Sequence, residues 1–127
     1  MRRALTLAIC FALLGGTALA QDSSFADPAR FTGRTGEEVY RGICQGCHMP
    51  EGEGAIGAGA YPPLAGNPAL EAADYPIQVV IHGQKAMPPL GDILDDEQIA
   101  AVVQYVRTNF GNNYTDPVPV EDVKAAR

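Results

Sequence analysis

The chain has 127 residues, with 9 basic against 15 acidic side chains, a net charge of −6, three cysteines and no tryptophan. That acidic balance argues against binding nucleic acid or an anionic membrane surface, and it favours a partner with a basic patch. The length allows one small domain, and with 14 glycines and 10 prolines few bulky apolar residues remain to build a core unaided.

Residues 1–20 read as a cleaved secretion signal. Arg2 and Arg3 give a basic start, Ala4 to Leu14 an apolar run, and Ala18-Leu19-Ala20 a small-residue cleavage site. The run falls short of the ~20 residues of a membrane span, so we expect a periplasmic protein with no stable membrane insertion. Cutting after Ala20 removes Cys10 and leaves 107 residues, with seven basic against fifteen acidic side chains and a charge near −8. Only Cys44 and Cys47 remain. A disulfide between such near neighbours would be strained and would staple nothing distant, so the two thiols need another use.

Residues 21–34 mix Asp, Ser, Pro and Gly and read as an extended leader. Thr35-Gly36-Glu37-Glu38 is a capping box, predicting a first helix from Gly36 to Ile43 with Val39, Tyr40 and Ile43 on one face, stopped by Pro50. This helix delivers Cys44-Gln45-Gly46-Cys47-His48, the spacing of a c-type haem attachment site. Each thiol adds across one haem vinyl group, and the histidine directly behind supplies an axial ligand to the iron. A thioredoxin-like redox pair would follow a strand, and none precedes Cys44. Half a zinc site would need two further ligands, where only His48 and the distant His82 are on offer.

Glu51 to Ala60 is nearly all Gly, Ala and Glu. With no strand feeding it and no Lys-Ser/Thr behind it, it is expected as a flexible loop across the haem edge and not a phosphate loop. Tyr61-Pro62-Pro63-Leu64 is a rigid segment. Asn67-Pro68-Ala69-Leu70 opens a short helix, and Asp74-Tyr75-Pro76 caps and starts another, with Ile77, Val80 and Ile81 on a shared face and Gly83 as its stop. Gly83 to Gly91 is a loop holding Met87-Pro88-Pro89. The last helix is capped by Asp95 with Gln98 completing a box, and Ile99, Val102, Val103, Val106 and Phe110 recur at helical spacing. Asp96 and Glu97 suit its positive end and Arg107 its negative end. Gly111 to Arg127 is expected to lie along the surface as an arm.

A haem held by one histidine has an open axial position. Met49 adjoins His48 and cannot also reach the opposite face of the ring. Met87 lies 39 residues further on, in a loop stiffened by two prolines, and is the expected sixth ligand. His82 is the rival, with a plainer role at the end of a helix.

In order and spacing, the haem motif, Pro62-Pro63-Leu64, Met87-Pro88-Pro89 and the Asp95-to-Phe110 helix resemble class I cytochrome c over about Thr35 to Phe110. The resemblance implies an all-α domain at 35–110, wrapped around one covalently attached haem c, with the first and last helices crossing at Gly36, Tyr40 and Tyr105. It implies cofactor contacts from Cys44, Cys47, His48, Pro62, Leu64 and Met87, with His48 and Met87 on the metal. The Pro62 carbonyl would hold the second nitrogen of His48, with Pro63 as the alternative, and Leu64 would pack on the ring. Tyr61, Lys85 and Arg41 are the candidates near the propionates. Tyr105 to Asp116 is similar to cytochrome subunits that serve periplasmic dehydrogenases of the quinoprotein or molybdenum hydroxylase type. The implied function is one-electron transport, Fe(III) to Fe(II) and back, from such a dehydrogenase to the respiratory chain, and not catalysis. The alternatives are a haem peroxidase or gas sensor with a labile sixth ligand, and a structural or metallochaperone protein with free thiols. Glu51, Glu53, Asp92, Asp95, Asp96 and Glu97 flank the haem loops and are expected to steer a basic donor.

Overall fold

The computed structural model describes residues 31–57 and 59–127; the expected signal and the leader up to residue 30 lie outside the described residues. The Thr35 hydroxyl accepts from the Glu38 amide at 3.2 Å, while the Glu38 carboxylate accepts from the Thr35 and Arg34 amides at 2.9 and 2.8 Å. Those two amides hold the Glu38 carboxyl below the usual carboxylate range. Behind this cap, α1 (Gly36–Val39) passes into a π-helical turn (Tyr40–Cys44) and then into α2 (Gln45–His48), with right-handed helical angles at both junctions. The helix expected to end at Ile43 therefore runs through the whole cysteine motif. It ends where Met49 turns to φ +65°, ahead of Pro50.

α1 crosses α4 (Asp96–Thr108) at Gly36. A Cβ there would collide with the Ala101 carbonyl and sit 2.6 Å from Tyr105 Cβ, so only glycine lets the two helices meet. Above the crossing, the Tyr40 ring lies 5.6 Å from that of Tyr105 and 4.7 Å from that of Phe110, and Tyr105 meets Phe110 edge-on at 5.6 Å. α4 starts as its sequence dictates, with Asp95 and Gln98 each accepting from the other's amide at 2.9 Å. It buries Ile99, Val102, Val103 and Val106 but stops at Thr108. Phe110, expected to continue the helix, sits at φ +57°, and this turn folds its ring back onto Tyr40.

A 3-10 turn (Pro68–Leu70) capped by Asn67 leads to α3 (Asp74–His82), and Leu70, Ile77 and Ile81 complete the core against α4. Asp74, expected as the cap of α3, instead occupies its first turn, where its charge still suits the positive end. The glycine-rich stretch contains a small antiparallel hairpin, β1 (Ala55–Ile56) against β2 (Ala60–Tyr61), in place of the expected flexible loop. Helices dominate, as an all-α cytochrome c fold requires. The segment beyond Gly111 departs from an arm by forming α5 (Val120–Ala126), which buries Val123 completely. Pro119 stands at its start, Glu121 and Asp122 fill its first turn, and Val120, Val123 and Ala126 pack on the core. Among the described residues, no helix is long and apolar enough to cross a membrane.

Candidate haem site

Cys44 closes the π-helical turn, and Cys47 and His48 lie on α2. The two thiols are unbridged, Cys44 half-buried and Cys47 exposed. Burial pushes the Cys44 thiol up to about 12. His48 is 8% exposed, with Nδ1 3.0 Å from the Pro62 carbonyl oxygen. A carbonyl only accepts, so Nδ1 carries the proton and Nε2 keeps its lone pair, the state a metal-ligating imidazole needs. Pro62, and not Pro63, makes this contact.

The loop after α2 is folded so that Pro62 arrives behind the ring. The Met49 carbonyl accepts from the Tyr40 hydroxyl at 2.7 Å and from the Gly52 amide at 3.1 Å. The Gly54 amide donates to the His48 carbonyl at 3.0 Å, and the Gly52 carbonyl accepts from Leu64 and Ala65 at 2.7 and 2.9 Å. Burial pushes the Tyr40 phenol up to about 12, which keeps it a donor throughout the neutral range. Gly54 sits at φ +67°, where a Cβ would strike the Tyr61 carbonyl and lie 2.8 Å from Pro63 N. Leu64 is half-buried against the core.

Two residues whose roles sequence reasoning missed brace the chain from behind, Asn112 at the end of this loop and Arg107 at the segment that leads into α3. The buried Asn112 amide donates to the Leu64 and Val106 carbonyls, both at 2.8 Å, and accepts from the Asn67 amide at 2.9 Å. Arg107 is fully buried; it donates to the carbonyls of Leu70 (2.9 Å), Glu71 (2.7 Å) and Asp116 (2.9 Å), and to both Asp116 carboxylate oxygens at 2.8 Å. Its side-chain hydrogen bonds hold the Asp116 carboxyl below the usual carboxylate range. A signal for Arg107 does exist, since it stands four residues after Val103 and so falls in the apolar stripe of α4. Its place in the last turn points as readily to the helix dipole, which masks the burial.

Met87 is half-buried against the core, in a loop closed on both sides. Gln84 and Met87 exchange backbone hydrogen bonds at 3.0 and 2.9 Å, and Lys85 turns the chain at φ +53°. The Leu90 and Gly91 amides then return to the Val80 and Ile81 carbonyls of α3 at 2.9 and 3.2 Å. His82, the rival ligand, has Nε2 2.9 Å from the Ala126 carbonyl, so that nitrogen carries a proton and has no lone pair for a metal. Of the propionate candidates, Arg41 is paired with Glu37 at 2.9 Å, Lys85 is exposed and Tyr61 is 40% exposed. Asp95 pairs with Arg34 at 2.7 Å and Asp96 with Arg127, so two of the acids expected to steer a donor are engaged within the chain.

Two unbridged thiols on one helix, an imidazole oriented from behind through Nδ1, and a thioether in a braced loop form a donor set suited to haem c, and the helices around them have the cytochrome c arrangement. The family model described as "Cytochrome C oxidase, cbb3-type, subunit III" matches residues 31–106, and the chain belongs to this cytochrome c family. It is 34% identical over 108 residues to the "Alcohol dehydrogenase (quinone), cytochrome c subunit" of Gluconobacter oxydans, covering 75% of this chain and 22% of that protein. It is 35% identical over 139 residues to cytochrome c-552 of Thermus thermophilus, covering 94% of this chain and 84% of that protein. Over 85 residues it is 34% identical to a nicotinate dehydrogenase subunit of Pseudomonas putida, covering 59% of this chain and 7% of that protein. The chain thus spans only about a fifth of the alcohol dehydrogenase subunit. Membership of the family implies haem c as cofactor and electron transfer as function.

Proposed function

We propose that the chain is a periplasmic, non-enzymatic one-electron carrier. Thioethers at Cys44 and Cys47 would hold a single haem c, His48 and Met87 would ligate its iron, and Pro62 and Leu64 would lie against the cofactor. When bound, the haem supplies an iron that alternates between Fe(III) and Fe(II). The protein's own residues would fix the cofactor through Cys44 and Cys47 and would supply both protein ligands, His48 oriented by the Pro62 carbonyl and Met87 held in its braced loop. Residues 1–20 export the chain. Its donor is a periplasmic dehydrogenase of the quinoprotein or molybdenum hydroxylase type, and its acceptor belongs to the respiratory chain; that several relatives are named as subunits of dehydrogenases supports a dehydrogenase as partner.

The hydrogen bond from His48 Nδ1 to the Pro62 carbonyl carries this reading, because it fixes the tautomer that ligates iron immediately behind the two thiols. The test is a haem stain of the exported protein after denaturation. Retained stain that weakens or vanishes in Cys44→Ser and Cys47→Ser supports the reading; unmodified thiols and no covalent haem overturn it. In oxidised Met87→Ala the Fe–S charge-transfer band disappears and the reduced protein binds carbon monoxide. Reduction by a quinoprotein or molybdenum dehydrogenase in stopped flow then tests the donor.

A further inference from the structure

We infer that Arg127 and His82 form a clamp that uses α5 to hold the Met87 loop in its ligating position. This rests on the reading of Met87 as the sixth ligand. The loop between α3 and α4 has two flanks, and residues at the end of α5 grip each of them. On the first flank, His82 closes α3 and its Nε2 donates to the Ala126 carbonyl at 2.9 Å. On the second, the Arg127 guanidinium donates to the Gly91 carbonyl at 2.6 Å and the Leu94 carbonyl at 2.9 Å, and also pairs with Asp96. Gly91 is thereby pinned through both of its backbone groups, its amide by Ile81 and its carbonyl by Arg127.

α5 is itself anchored by Val123, which is fully buried, so its end is a firm point from which to hold a loop. The planar fork of Arg127 reaches two carbonyls and a carboxylate at once, which an ammonium on a flexible stem cannot reproduce. Prying Met87 off a metal requires its loop to swing, and that swing is opposed at residues 82, 91 and 94 together. Arg127 and His82 are therefore positioning residues for the sixth ligand, and they act through backbone groups without touching the cofactor.

The experiment uses the full, haem-loaded protein in the ferric state and measures how fast added imidazole replaces the native sixth ligand. Arg127→Ala raises the replacement rate roughly tenfold, which corresponds to about 1.4 kcal/mol. Arg127→Lys falls between wild type and Arg127→Ala. His82→Gln, which keeps a donor, stays nearer wild type than His82→Phe. Lys124→Ala, an exposed change on the same helix, leaves the rate unaltered. Amide exchange read on the same samples quickens at Met87, Leu90 and Gly91 in Arg127→Ala but not at Val102 or Val103 of α4. A wild-type replacement rate in both Arg127→Ala and His82→Phe overturns the clamp, as does exchange that quickens equally throughout α4. Absence of the Fe–S band in the wild-type protein overturns the Met87 assignment, whereas a band present with unchanged replacement rates overturns the clamp alone.

Discussion

The carboxyl end of α4 holds its neighbours through two buried side chains, whereas the amino end adds ion pairs at the surface to the one buried side chain, Gln98, that grips the preceding chain. Arg107 and Asn112 reach the backbone carbonyls of Leu64, Leu70 and Glu71 from inside the protein. At the other end, Arg34, with a 71% exposed side chain, reaches over to Asp95. A buried donor on a carbonyl is shielded from salt and costly to remove, because the acceptor it leaves behind has no water to replace it. An exposed pair gains little and is screened. The difference places one buried grip, that of Asn112, at the Leu64 end of the loop that supports His48, another, that of Arg107, at the approach to α3, and the adjustable pairs on the acidic surface.

Breaking the firm end gives the largest expected effect. Arg107→Ala leaves the Leu70 carbonyl without its partner and costs ~3 kcal/mol of unfolding free energy, measured in denaturant and unchanged by added salt. A loss that salt abolishes would place the guanidinium in solvent. Between the two ends, Gly36→Val tests the crossing itself. The new side chain meets a backbone carbonyl that cannot rotate away, and the overpacking costs roughly 1–3 kcal/mol; an unchanged unfolding midpoint would contradict the close approach.

A subtler change sharpens the comparison through pH. The Asp116 carboxyl is depressed in the folded protein by Arg107, so its contribution is present above the ordinary carboxylate range and is lost as pH falls through the depressed value. Asp116→Asn is therefore less stable than wild type at neutral pH, and the gap closes in acid; thermal melts across that range check it. The smallest effect belongs to the surface end. Arg34→Ala costs less than ~1 kcal/mol at low salt and nothing measurable near 1 M salt, where the Debye length is about 3 Å.

Much of this was legible because its causes are local. The caps at Thr35–Glu38 and Asp95–Gln98 depend on residues three apart, and sequence displays such pairs directly. Contacts between Gly36 and Tyr105, or His48 and Pro62, join distant segments and were reached only through resemblance to a known fold. What was missed had competing local signals. Pro117 and Pro119 make the last segment read as an arm, although Val120 and Val123 recur at helical spacing behind an acidic first turn. Asn112 stands in an apparent tail, and its three bonds form only once α4 and the Leu64–Asn67 segment meet. Gln98 reads as half of a capping box, yet the same side chain also donates to the Phe31 and Gly33 carbonyls and ties down the chain that precedes the first helix.

The π-helical turn at Tyr40–Cys44 has a consequence for how the chain tolerates insertion and deletion. A regular helix rotates roughly 100° per residue, and a π turn absorbs one residue more than an α turn does. The π turn thus keeps the packing surface at Gly36 and Tyr40 and the attachment surface at Cys44, Cys47 and His48 in a fixed relation across one additional residue. Removing exposed Gly42 would regularise the helix and leave the cysteines and the imidazole at nearly the same azimuth, with Gly36 still against Tyr105. Keeping every residue but winding the turn as regular α-helix would instead rotate the motif by roughly 100° and carry the histidine away from the Pro62 carbonyl. The π turn therefore sets the azimuth of the whole motif from outside Cys-x-x-Cys-His.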